Sequence, residues 1–162
     1  MEVPEHKYFR LFPGNEVRLK GAYVVRCTGC VKDEEGNVIE VLAEYDPASR
    51  GGDPLDGRKI KGTIHWVDAA TAVDAEVRLY DNLFSDADPD GGEQDFLRCL
   101  NPGSLEVLTG CKVERGLSGA GADSGSYQFM RLGYFCADSR DCAPGRLVFN
   151  RSVSLKDSFK PG

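Results

Sequence analysis

Along this chain hydrophobic and polar residues follow the short period of β-strands, and no long helical period is visible. Pro13-Gly14-Asn15 is the first turn signal. After it, Val17, Leu19, Tyr23, Val24, Val25 and Val31 make residues 16–31 one β-type run. Asp33-Glu34-Glu35-Gly36-Asn37 breaks that run, and residues 38–45 form a second strand, so the pair predicts a hairpin with a longer turn. Residues 46–57 are a loop rich in Pro, Gly and Asp. A third strand is predicted over 59–67. A fourth covers 73–80, with Val73, Ala75, Val77 and Leu79 on one face. Asp95-Phe96-Leu97-Arg98-Cys99-Leu100 suits one helical turn, stopped by Asn101-Pro102-Gly103. Further strands are predicted over 104–112, 126–137 and 146–155, and residues 116–125 form a Gly-, Ala- and Ser-rich loop.

Short strands separated by Gly, Pro and Asp turns define an all-β chain, either a sandwich or small barrels. The composition changes around residues 83–103, an acidic loop followed by a short apolar segment, and suggests two β units. The second of these has few strands with which to close by itself.

Charge refines this picture. The net charge of −6 excludes a nonspecific nucleic-acid coat, which needs a broad basic field. The charges are nevertheless segregated. Lys7, Arg10, Arg18, Lys20 and Arg26 stand against Glu16 alone, whereas Asp81, Asp86, Asp88, Asp90, Glu93 and Asp95 have no basic neighbour in their stretch. One face can therefore meet a polyanion while the acidic loop points away. No apolar run approaches the ~20 residues that span a bilayer, and the polar N-terminus has no h-region, so the expected compartment is the cytoplasm.

Candidate catalytic chemistry is sparse. There is no nucleophile elbow, P-loop, HExxH or dinucleotide fingerprint. His6 lies in the lead-in, and His65, beside Trp66, is expected to be a core or sheet-face histidine. Cys27 and Cys30 have zinc-ligand spacing, but residues three apart in a strand face opposite sides, and no second pair completes a site. The six cysteines are expected to be thiols. Asp86-Ala87-Asp88-Pro89-Asp90-Gly91 lacks the terminal carboxylate of a calcium loop. What remains is a binding surface. Arg10, Arg18, Lys20, Arg58, Lys59, Lys61, Gln128 and Arg131 could converge, with Tyr8, Phe9, Tyr23 and Phe129 offering rings to bases. Single-stranded RNA is read by such a set through exposed base edges and stacking planes.

Several stretches resemble, in order, the C-terminal anticodon-binding region of glutaminyl-tRNA synthetases. They are Tyr8–Tyr23, Tyr45-Asp46-Pro47, residues 57–67 (GRKIKGTIHWV), residues 78–84 (RLYDNLF), residues 100–105, Gln128-Phe129-x-Arg131-x-Gly133-Tyr134-Phe135-Cys136-x-Asp138-Ser139, and residues 148–157. The likeness runs from about Tyr8 to Phe159. It implies two small antiparallel β-barrels of the class I synthetase type, proximal and distal to a catalytic core, with the proximal one incomplete here. On that scheme residues 1–15 lead into the proximal barrel, 16–82 form the distal barrel, 83–103 connect, and 104–162 supply proximal strands. The same resemblance places Arg18 at the first anticodon base, Arg10 at the third, and Gln128 with Arg131 around the central U. Lys7, Phe9, Lys20 and Lys61 are further possible RNA contacts. Phe9 stands where a bacterial form has Lys, and Lys7 where it has Gln. The implied partners are the tRNA(Gln) anticodon loop and the catalytic domain of the same polypeptide, in a monomer without a membrane. ATP and Mg belong to the parent ligase; no cofactor, metal or catalytic residue is expected in this stretch, which should be inactive alone. The corresponding region of an archaeal or eukaryotic-type glutamyl-tRNA synthetase is one alternative. A free-standing β-barrel interaction module is another.

Overall fold

The computed structural model describes residues 10–91 and 95–155. It divides after Trp66 into two compact units, each built on one sheet.

The first unit contains β1 (Glu16–Leu19), β2 (Val24–Lys32), β3 (Val38–Asp46) and β4 (Thr63–Ile64), in the order β3-β2-β1-β4. The expected single run over 16–31 is two strands. Gly21, at φ 73, folds the chain back, and Ala22 donates to the Leu19 carbonyl at 3.0 Å. A left-handed residue in a tight turn favours glycine, which has no Cβ to clash. The hairpin β2–β3 forms as expected. Asp33 caps its turn by accepting from the Glu35 and Asn37 backbone amides at 3.1 and 2.7 Å. The expected strand over 59–67 shrinks to two residues. β4 runs parallel to β1, with Arg18 opposite Thr63, and the chain leaves the sheet at once. His65 is exposed beyond its end, not in a core. Trp66 is 41% exposed and donates its indole N–H to the Lys20 carbonyl at 3.1 Å.

Val17, Val24, Val25 and Cys27 form this unit's small core. Ser49 is buried with them. Its hydroxyl accepts from the Val24 amide at 2.8 Å and donates to the Asp46 carbonyl at 2.7 Å, so both roles of the buried oxygen are satisfied.

The second unit contains β5 (Val73–Tyr80), β6 (Leu105–Val113), β7 (Ser126–Phe129), β8 (Gly133–Ala137) and β9 (Leu147–Ser154), in the order β6-β5-β9-β8-β7. Phe149, Val148, Phe135, Leu147, Val77 and Ala75 fill its core. Phe129 stacks on Phe135 at 4.4 Å and meets Phe149 edge-on at 5.2 Å. Phe129 is therefore a partly buried packing residue. The expected strand over 126–137 is a tight hairpin, β7–β8, turning at residues 130–132.

β5 does not pair with the strands of residues 16–64, as a unit ending at residue 82 would require. It pairs with β6, antiparallel, and with β9, parallel. Residues 83–103 are correspondingly the closure of the β5–β6 hairpin and not a connector between barrels. Asp81 donates to Ser104 at 2.9 Å, Asn101 to Leu83 at 2.8 Å and Ser85 to Cys99 at 2.8 Å, all through the backbone. The helical turn expected there is the 3-10 segment Phe96–Cys99, capped by the Asp95 side chain, which accepts from the Leu97 amide at 3.1 Å. Both sheets are mixed, each with one parallel pairing among otherwise antiparallel ones, and neither closes into a ring among the described residues.

Candidate nucleic-acid interface

In the first unit the parallel β1–β4 pairing sets the basic residues along one sheet edge. Alternation along β1 buries Val17 and turns Arg18 the other way. The Arg18 amide donates to Gly62 at 2.7 Å and the Lys20 amide to Ile64 at 3.0 Å. Those bonds bring the backbones of Arg18 and Lys20 beside the segment that carries Lys61, and Lys20 and Lys61 are exposed. The Arg18 guanidinium forms an ion pair with Asp53 of the 50–57 loop, and its Nε is buried without a partner among the described residues. Arg10 is exposed, and its carbonyl accepts from the Asn15 side chain at 2.9 Å, which ties it to the start of β1. Lys7 and Phe9, like Tyr8 and His6, lie outside the described residues. Tyr23 packs edge-on against Tyr45 at 5.1 Å, and Tyr45 is 61% exposed.

Arg58 leaves the expected basic cluster. Its Nε donates to Glu16 and its Nη2 to Asp46, each at 2.9 Å, and its Nη1 also binds Asp56. Those bonds, first the one to Glu16, push its pKa up. A guanidinium with three carboxylates has spent its donor fork on the fold.

In the second unit Gln128 and Arg131 share the β7–β8 hairpin. Tyr127 and Phe129 pack on the core, so by strand alternation Gln128 faces outward, and it is exposed. Arg131 is not on a strand. It is exposed at the turn and takes no carboxylate partner among the described residues.

Sequence reasoning missed the densest polar constellation of this unit. Arg78 on β5 donates Nε to Glu76 at 2.7 Å, Nη1 to Asp138 at 3.2 Å and Nη2 to Asp141 at 2.7 Å. Asp138 also accepts from the Asn150 side chain at 2.8 Å and from the amides of Arg140 and Asp141 at 2.9 and 2.8 Å. Asn150 completes the chain by accepting from the Tyr80 hydroxyl at 3.3 Å. The Asn150 bond first, then the two amides, then the Arg78 charge hold the Asp138 carboxyl down at about 2. Arg78, Asp138 and Asn150 come from three separate stretches of the resemblance, residues 78–84, 128–139 and 148–157. Their shared signal was there, but nothing in a linear sequence says that the three stretches meet.

The described residues form an all-β chain with exposed Arg, Lys and Gln side chains on both sheets and no group of His, Cys, Asp and Glu placed to hold a metal ion. Comparison with known proteins identifies the family. Two profiles of one family match, over residues 63–138 and residues 3–46, and both are described as the anticodon-binding domain of class I tRNA synthetases (E and Q). A glutamine–tRNA ligase of Bordetella avium is 57% identical over 98% of this chain, one of Clostridium kluyveri 52% over 99%, and one of Pseudomonas syringae pv. tomato 50% over 98%. The chain belongs to the anticodon-binding domain family of the class I glutamyl and glutaminyl synthetases, and it matches the glutamine enzymes over nearly its whole length. It spans 26%, 29% and 28% of the length of those three relatives, in the order just named.

Proposed function

We propose that this chain is the part of a glutamine–tRNA ligase that binds the anticodon loop of tRNA(Gln), so that the whole enzyme can attach glutamine with ATP. The observation that carries the reading is the identity of 50–57% to glutamine–tRNA ligases across 98–99% of the chain. It favours the glutamine enzyme over the glutamyl alternative and over a free-standing interaction module. The chemistry of the outward side chains supports it. Arg10 offers a donor fork suited to base edges, Arg18 offers one once its ion pair with Asp53 opens, and Gln128 offers both a donor and an acceptor to a uracil edge. Arg10 is assigned to the third anticodon base, Arg18 to the first, and Gln128 with Arg131 to the central U. Lys20 and Lys61 supply phosphate affinity, and Lys7 and Phe9 are additional contacts.

ATP and Mg belong to the rest of such a ligase. The setting is cytoplasmic and monomeric. No helix among the described residues is long and apolar enough to cross a membrane.

The test is a fluorescence-anisotropy titration of the chain with two anticodon stem-loops, CUG and one changed at the central U, at low and moderate salt. Preference for CUG that survives added salt supports base reading. Equal, salt-sensitive binding reduces the role to phosphate affinity.

A further inference from the structure

The turn that carries Arg131 has an unusual backbone. Positive φ occurs at Gly14, Gly21, Gly36, Gly51, Gly57, Gly110, Gly125, Gly133 and Gly145. Among the described residues Arg131, at φ 64, is the one non-glycine that shares that region. Wherever else among the described residues the backbone is left-handed, the residue is glycine, which has no Cβ penalty there.

The surroundings impose this conformation. Leu132 donates to the Phe129 carbonyl at 2.9 Å, which closes a four-residue turn with Arg131 in its third position. A type II turn requires positive φ at that position, ordinarily from Gly or Asn. The turn is anchored at both ends. Before it, Phe129 is fixed between Phe135 and Phe149. After it, Gly133 lies at φ 148, and a Cβ there would stand 2.5 Å from the Val153 carbonyl oxygen. Gly133 is thus pressed against β9, and the β7–β8 pairing is set on both sides of the turn.

We propose that the turn is a strained mount for RNA contact: Arg131 is kept in a glycine's position so that its guanidinium stands free at the tip of the hairpin that also carries Gln128, and Gly133 is the positioning residue that lets the tip close. This rests on the reading that Gln128 and Arg131 meet the central anticodon base. Strain held at a binding position is stability given up for geometry.

The account makes stability and recognition move in opposite directions. Arg131→Gly should raise the melting temperature of the chain by about 2–4 °C and lower discrimination at the central base by about tenfold. Arg131→Asn should do the same with a smaller gain in stability, because Asn tolerates the left-handed region. Arg131→Lys should leave the melting temperature unchanged and still lose discrimination, since it keeps the charge and the strain but not the planar fork. Gly133→Ala should lower the melting temperature. In the protein that remains folded it should weaken central-base discrimination while sparing the third base, a selectivity that general destabilisation would not produce. A lower melting temperature for Arg131→Gly would overturn the strained mount and leave the RNA reading standing. A higher melting temperature with discrimination intact would overturn the assignment of Arg131 to RNA. Wild-type chain that binds CUG and altered loops equally would overturn the reading beneath both.

Discussion

Arg78 and Arg131 both sit in stretches that resemble one family, both belong to the second unit, and their situations are opposite. The Arg78 side chain is 18% exposed, and all three of its donor groups meet carboxylates. Arg131 is exposed on a strained turn with no carboxylate beside it among the described residues. Arg58 shows the first situation again in the other unit, less completely, with its side chain 37% exposed. A matching arginine therefore does not by itself mean an RNA contact. A guanidinium whose donors are used up holds strands together; one left open can address a ligand.

Substitutions should separate these roles, and the largest effect is expected at Arg78. Arg78→Ala leaves Glu76, Asp138 and Asp141 without their shared cation, and it should lower the melting temperature by on the order of 5–10 °C by calorimetry. Arg78→Lys should recover only part of that, because one ammonium cannot present a fork in three directions.

Asp138 gives the same network a pH signature. Its folded pKa of about 2 lies below the ordinary 3.8, so the folded state binds its proton less readily than the unfolded chain. The stabilisation is complete above about pH 4 and is lost as pH falls through about 2. Asp138→Asn should therefore be less stable than wild type at neutral pH, with the gap narrowing between pH 4 and pH 2 in acid titrations followed by circular dichroism.

Ser49 tests the first unit. Ser49→Ala strands the buried Val24 amide and should cost about 1–3 kcal/mol in urea unfolding. Arg58→Ala should have the smallest effect of the set, and 0.5 M salt should shrink it further, because the Arg58 pairs are partly solvated. An Arg58→Ala effect as large and salt-insensitive as that of Arg78→Ala would erase the distinction between the two hubs.

How far the sequence went is clear from particular residues. The turn between β2 and β3, and the strands β3, β5, β6 and β9, were legible to within a residue or two, because alternation and turn signals are local. The two strands that proved to be hairpins were not. Gly21 was only one more residue in an apolar run, and nothing in the linear pattern marks Arg131 as left-handed, because arginine is the wrong residue to expect there. β4 failed for a different reason: residues 59–67 have strand composition, yet only Thr63–Ile64 find a partner. Unit membership was the least accessible feature. β5 joins β9 across a long stretch of chain, a pairing that tertiary packing decides. Among the candidate site residues, Arg10, Lys20, Lys61, Gln128 and Arg131 are exposed. Sequence alone could not tell that Arg58 is consumed by Glu16, Asp46 and Asp56, or that Phe129 is held by two phenylalanines.

The most direct measurement is an NMR titration that follows the arginine side-chain Nε–H resonances as a CUG anticodon stem-loop is added. The account predicts shifts at Arg10, Arg18 and Arg131, with Arg58 and Arg78 unmoved. Shifts at Arg78 or Arg58 with Arg131 silent would contradict it, because the RNA would then be reading the groups assigned to the fold.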